Sequence, residues 1–161
     1  MTKDFCILIH YHEISLKGKN RSWFERQLVK NIKHQLFGLP CAMVNLTAAR
    51  IFCFGIDESL WNDYARRLQK VMGLKHAILM IQVKSDLDKM QTVAANQLEG
   101  VEFSSFRMSA RRQYKDFHLS SQQINEAVGR HIQSIYLKPV KLKNADVDMA
   151  IELVKGMAYI G

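Results

Sequence analysis

The chain has 161 residues, of which 48% are hydrophobic and 24% charged, and its formal net charge is +8. This length suffices to bury roughly 68–70% of the unfolded surface, so one domain or two small ones are expected. No apolar run approaches the roughly 20 residues of a membrane-spanning helix, and the N-terminus lacks a signal-peptide pattern. A cytoplasmic protein without membrane contact is predicted.

The positive charge is concentrated at the two ends of the chain. Residues 1–40 hold seven Lys/Arg against three Asp/Glu, residues 41–102 hold seven against seven, and residues 103–161 hold nine against five. A polyanion bound by both ends would explain this distribution, because Lys and Arg contacts to phosphates dominate nucleic-acid affinity.

Residues 1–83 carry the pattern strand, helix, strand, strand, helix, strand. The run 5–9 predicts a buried strand, and Ser22 with Glu25 has the form of a capping box for an amphipathic helix. Runs 41–46 and 50–54 predict a hairpin. A second helix follows, with Asp57 or Ser59 as its cap and Gly73 as its end, and the residues 76–83 predict a strand. This order is the ferredoxin-like βαββαβ arrangement, an α+β fold.

A second α/β unit is predicted over residues 84–161, with the boundary near residues 83–85. Ser85 with Asp88 predicts a helix that ends at Gly100, and residues 103–110 alternate as a strand. The residues 111–118 read as a basic and aromatic loop. Ser120 with Gln123 predicts the next helix. The runs 147–154 and 158–160 complete the unit as strands.

Catalytic and metal chemistry is not predicted. Cys6, Cys41 and Cys53 lack metal-ligand or disulfide spacing, and each is expected to be a small buried hydrophobe without the electropositive, exposed setting of a reactive thiol. His10 and His12 share one side of a strand, but two ligands do not make a metal site. No nucleophile elbow or catalytic carboxylate pair is present. We therefore expect no catalytic residue, metal or cofactor in this chain.

Three basic clusters are candidates for phosphate contact. The first precedes a predicted helix N-terminus, where free N–H groups and the helix dipole favour anions. The second interleaves cations with aromatic residues, as RNA-binding surfaces do, and the third follows the last helix near Lys138. Ordinary solvated surface charge is the alternative for each cluster. The candidates are Lys17, Lys19 and Arg21, then Arg107, Arg111, Arg112 and Lys115, then Lys141 and Lys143.

Several separated motifs resemble one known family. Residues 9–21, Ile-His-Tyr-His-Glu-Ile-Ser-Leu-Lys-Gly-Lys-Asn-Arg, resemble the opening motif of the tRNA 4-thiouridine synthetase (ThiI) family, also named for thiamine biosynthesis. Residues 106–112, 128–129 and 140–147 look like a THUMP domain. His10, His12 and Ala145 depart from the family pattern, which has Arg, Gly and Pro there. His12 lacks the backbone freedom that glycine has at that position.

The resemblance implies a ferredoxin-like domain (1–83) and a THUMP domain (84–161) that together bind tRNA near its acceptor end. In the family, a following ATP pyrophosphatase domain uses ATP to activate a uridine for sulfur transfer. Its Ser-Gly-Gly-x-Asp-Ser type loop does not occur in this sequence, so ATP is expected only for a domain outside it.

The main hypothesis is a tRNA-binding module of a tRNA sulfurtransferase, as a fragment or as a free-standing adaptor for a separate or downstream modification enzyme. A basic protein-interaction domain without an RNA role is the alternative. A homodimer is left open.

Overall fold

The structure is a computed structural model that describes residues 4–12, 20–47, 49–113 and 116–161. The chain forms two compact units, Phe5–Met80 and Ile81–Gly161, and the second also includes Asp4. None of the helices in these ranges is both long and apolar enough to cross a membrane.

The first unit has the predicted ferredoxin-like fold. Its strands lie in the order β2-β3-β1-β4, and β3 pairs antiparallel with both β1 and β2. One core cluster joins the sheet to the two helices through residues such as Ile7, Ile51, Leu28, Ile32 and Tyr64. The elements are β1 (Asp4–Tyr11), α1 (Asn20–Gln35), β2 (Met43–Thr47), β3 (Arg50–Phe54), α2 (Trp61–Leu68) and β4 (Leu74–Lys84).

The start of α1 differs from the prediction. The helix already includes Asn20, so Ser22 lies within its first turn and is not its cap. Glu25 is turned inward, where it is 8% exposed and accepts a hydrogen bond from the Tyr11 hydroxyl. The Ser-x-x-Glu pattern was therefore misread, because the carboxylate has a tertiary partner on β1. The second helix is preceded by a 3-10 turn, Glu58–Leu60, whose cap is Asp57.

The second unit contains a parallel strand–helix–strand crossover. The strand order is β4-β7-β6-β5, in which β5 pairs parallel with β6 and β7 pairs antiparallel with β6 and with the last residues of β4. Parallel neighbours require such a crossover, and α4 provides it. The elements are α3 (Leu87–Gln97), β5 (Phe106–Arg112), α4 (Ser121–Tyr136), β6 (Val147–Val154) and β7 (Met157–Ile160).

Both helices of the second unit pack on one face of its sheet. Phe106 and Met108 on β5 contact the same core cluster as Met90 of α3 and Val128 of α4. The capping box of α4 is confirmed, since the Ser120 hydroxyl accepts from the Gln123 N–H and the Gln123 side chain accepts from the Ser120 N–H. The cap of α3 is Asp86, without a side-chain hydrogen bond, and the predicted Ser85 cap was wrong.

Candidate nucleic-acid interface

Strand β5 places two arginines on the face of its sheet opposite α4. Phe106 and Met108 point into the core, whereas Arg107 and Arg111 are exposed. This alternation was predicted for residues 106–109, but the strand extends to Arg112, so residues 111 and 112 were wrongly assigned to a loop. At 3.3 Å per residue, the Cα atoms of Arg107 and Arg111 lie about 13 Å apart. The two cations therefore reach different phosphates rather than a single one.

The neighbouring arginines 111 and 112 have different environments. Strand alternation sends Arg112 to the side opposite Arg111. The Arg112 side chain is half-buried, and its Nη1 donates to the Phe117 carbonyl over 3.3 Å. Its Nε is buried without a partner among the described residues. Arg112 thus already holds the segment after β5, and of these two arginines only Arg111 is exposed.

The segment that follows α4 lies along the free edge of β5. The Phe106 N–H donates to the Pro139 carbonyl (3.2 Å), and the Lys141 N–H donates to the Phe106 carbonyl (3.0 Å), which makes Val140 a parallel partner of Phe106. The pairing brings exposed Lys141 beside Arg107, whose Nη1 donates to the Leu142 carbonyl over 3.4 Å. Residues 30 to 36 positions apart in the chain are thereby joined in one basic surface. We call Arg107, Arg111, Lys141 and Lys143 the basic surface.

The acidic residues next to the basic surface are occupied by other groups. Asp148 accepts from the Ser109 hydroxyl (2.6 Å), and Asp146 accepts from the Ser104 N–H (2.8 Å) and hydroxyl (2.5 Å). The Ser104 hydrogen bonds, and secondarily the charge of Lys141, lower the pKa of Asp146. Within the described part of the chain, none of the four cations of the basic surface forms an ion pair. Their charge is available to an external anion.

An open groove of about 530 Å³ lies between α4 and the segment 138–142. Met108 and Gly129 form part of its lining, together with exposed Arg130 and Leu142. Arg130 was not among the phosphate contacts predicted from the sequence, although its spacing from Gln122 and Glu126 along α4 places all three residues on one helix face.

In the first unit, Arg21 is the predicted contact that the structure describes. Its side chain is 43% exposed, and its Nε lies 3.5 Å from the Glu25 carboxylate. Arg21 therefore belongs to a network with Glu25 and Tyr11, where burial and the Glu25 hydrogen bond raise the pKa of Tyr11 to about 12. The predicted contacts Lys17, Lys19 and Lys115 lie outside the described residues.

The cysteines and histidines show one departure from expectation. Cys6 and Cys53 are buried as predicted, but Cys41 is half-buried and lines a surface groove with Lys33. The expectation that every cysteine lacks an exposed, electropositive setting was therefore wrong for Cys41. The His10 and His76 rings are in contact in a tilted arrangement, with centroids 4.5 Å apart and an interplanar angle of 34°. The described ranges contain no cluster of three His, Cys, Asp or Glu side chains suited to a metal ion.

Two family models together match nearly the whole chain. They are the ThiI ferredoxin-like domain over residues 6–77 and the THUMP domain over residues 84–161. The probable tRNA sulfurtransferase of Thermus thermophilus is 30% identical over 150 residues, which are 93% of this chain and 37% of that protein. The corresponding Listeria innocua protein is 32% identical over 159 residues, which are 96% of this chain and 39% of that protein. The chain thus spans about two fifths of these relatives.

Solved structures show the same arrangement of elements. PH1313 from Pyrococcus horikoshii superposes with a TM-score of 0.86 at 30% identity, over 97% of this chain and 53% of that chain. A 4-thiouridine synthetase crystallised as an RNA complex with bound ATP gives a TM-score of 0.77 at 26% identity, over 98% of this chain and 40% of that chain.

Proposed function

We propose that this chain, which belongs to the ThiI ferredoxin-like and THUMP domain families, is the tRNA-binding module of a tRNA 4-thiouridine synthetase (tRNA sulfurtransferase). The observation that carries the proposal is the basic surface, whose cations form no ion pair with the described residues. The relative solved as an RNA complex supports RNA as the ligand, and tRNA modification by the curated relatives supports tRNA. A tRNA ligand also implies a cytoplasmic place of action.

The basic surface binds backbone phosphates and reads shape more than sequence. Phosphate contacts fix the position of a nucleic acid without distinguishing its bases. A strand and a segment paired to its edge hold Arg107, Arg111 and Lys141 with little backbone freedom, so less conformational entropy is lost on binding. In the proposed complex, Lys143 contacts phosphate together with the rest of the basic surface, and Lys17, Lys19 and Arg21 of the first domain and Lys115 of the second contact further phosphates of the same tRNA. Arg112, predicted from the sequence as a contact, instead supports the segment after β5 through its hydrogen bond to the Phe117 carbonyl.

Thiolation itself belongs to a catalytic domain outside this sequence. The curated relatives extend over more than twice the matched length, which leaves room for an ATP pyrophosphatase domain. That domain would bind ATP and activate the uridine, while the present module positions the tRNA acceptor region. A free-standing adaptor would supply the same tRNA to a separate enzyme.

The test is tRNA binding measured over a series of salt concentrations. Intact tRNA is compared with tRNA that lacks its single-stranded acceptor end and with duplex RNA of equal length. The proposal expects a preference for intact tRNA and a log–log salt slope that corresponds to several phosphate contacts, about −0.7 to −0.9 for each. Equal binding of all three RNAs, or full binding after charge reversal of Arg111 and Arg112, would contradict it.

A further inference from the structure

Two of the three cysteines lie at one end of the hairpin of the first unit. The Ala42 N–H donates to the Phe54 carbonyl (2.8 Å), and Val44 lies opposite Cys53 in the β2–β3 register. Cys41 and Cys53 pack in the same core cluster and their side chains interact directly, while the Cys41 thiol also donates to the Met43 carbonyl (3.6 Å). The two sulfurs are therefore neighbours although eleven residues separate them in the chain.

The two thiols differ in access. Cys53 is fully buried, whereas Cys41 lines an open groove of about 420 Å³ between the end of α1 and the start of β2. Residues on both sides, including Lys33 and Phe37, also line the groove. The buried Tyr64 hydroxyl donates to the Pro40 carbonyl and so fixes the residue before Cys41. A small reagent can reach Cys41 from the groove, whereas buried Cys53 is not part of the groove lining.

The charged and titratable groups around Cys41 favour its thiolate. The hydrogen bond from Cys53 is the main cause that lowers the pKa of the Cys41 thiol to about 7, and the positive charge of Lys33 acts in the same direction. Tyr64 faces the pair from α2, and burial raises its pKa, so it stays neutral. The neighbouring Cys41 side chain, and then burial, raise the pKa of Cys53. Cys41 thus has more thiolate character at neutral pH than an ordinary cysteine, while Cys53 keeps its proton.

We propose that Cys41 and Cys53 form a reversible thiol–disulfide pair in which Cys41 is the nucleophile for a hydroperoxide and Cys53 is the resolving thiol. The Cys41 thiolate attacks the peroxide, the O–O bond breaks, and sulfur is oxidised to a sulfenic acid as the peroxide is reduced to water or alcohol. The Cys53 sulfur then attacks the Cys41 sulfur and displaces hydroxide. The hydroxide takes up the Cys53 proton and leaves as water. A modification site of this kind is independent of RNA binding.

The experiment treats the native chain with hydrogen peroxide and maps its thiols by differential alkylation and mass spectrometry. The expected product is a peptide pair joined through residues 41 and 53 with the loss of two hydrogen atoms, restored by dithiothreitol. Cys53→Ser should stop at a sulfenic acid on Cys41, trapped by dimedone, whereas Cys41→Ser should leave Cys53 reduced. Cys6→Ser is the matched control and should behave like the parent chain.

A measurement without variants tests the asymmetry of the pair. In the unmodified chain at pH 7, iodoacetamide should react with Cys41 about tenfold faster than with Cys6 or Cys53, because only Cys41 combines thiolate character with access. The rate at Cys41 should rise with pH around a midpoint near 7. Retention of all three thiols after peroxide, equal alkylation of Cys41 and Cys53, or oxidation of Cys53 in Cys41→Ser would overturn the proposal.

Discussion

Replacement of Gly129 by alanine should stabilise the second unit. Gly129 lies in the middle of α4, where glycine costs about 0.8–1.0 kcal/mol relative to alanine. An added Cβ would lie 3.8 Å from Met108, 3.9 Å from Val140 and 4.0 Å from Phe106, which are ordinary van der Waals distances. The methyl group also gains about 0.8 kcal/mol from burial. The expected stabilisation is about 1–2 kcal/mol, or roughly 2–4 °C in Tm for each kcal/mol.

The same substitution at Gly100 is the matched control and should have the opposite sign. A Cβ at Gly100 would meet nothing within 4 Å, but its φ of +78° lies in the left-handed region. Alanine there costs about 1–2 kcal/mol through the backbone alone. The two Gly→Ala substitutions add the same methyl group, so the difference between them separates the effect of packing at Gly129 from the effect of backbone conformation at Gly100.

Urea unfolding followed by circular dichroism measures both variants, and hydrogen exchange of the α4 amides localises the effect. Tryptophan fluorescence does not serve, because Trp23 and Trp61 both lie in the first unit. Destabilisation by Gly129→Ala would show that α4 packs closer to β5 than described. Stabilisation by Gly100→Ala would refute the left-handed conformation of residue 100.

Arg111→Gln should reduce the salt slope of tRNA binding by about 0.7–0.9, because one phosphate contact is lost. Its free energy of unfolding should change by less than about 0.5 kcal/mol. The matched variant Lys155→Gln, in the exposed β6–β7 turn, should leave the salt slope unchanged. Tyr11→Phe should cost about 1.5–3 kcal/mol at neutral pH, because it removes a hydrogen bond to the buried Glu25 carboxylate. The Tyr11 pKa, about 12 in the folded chain, lies above its unfolded value near 10, so this contribution is complete below pH 10. This contribution is lost as the pH rises through 12, where the urea midpoints of Tyr11→Phe and the parent chain should converge. A difference between the two midpoints that stays constant with pH would contradict the hydrogen bond from Tyr11 to Glu25. Ser104→Ala should raise the pKa of Asp146 in an NMR titration, whereas Ser109→Ala, whose hydroxyl binds Asp148, should not.

The order of elements and the fold could be predicted from the sequence because their signals are local. The four-residue spacing of Leu28, Ile32 and Leu36 and the alternation of Phe106 to Ser109 each express one backbone geometry within a few residues. The capping box of Ser120 and Gln123 is equally local, and it was confirmed. Local periodicity thus indicated which faces are buried, and the separated motifs indicated the families.

Tertiary structure alone decided the partners of the polar side chains. Ser22 and Glu25 have the spacing of a capping box, but Glu25 pairs with Tyr11, fourteen residues away. Arg111 and Arg112 are identical in sequence terms, and strand alternation makes one exposed and the other a structural donor. Cys41 lies beside Cys53 and Lys33 only because the hairpin folds against α1. Such contacts depend on how distant segments pack, and the spacing of residues along the chain does not encode that packing.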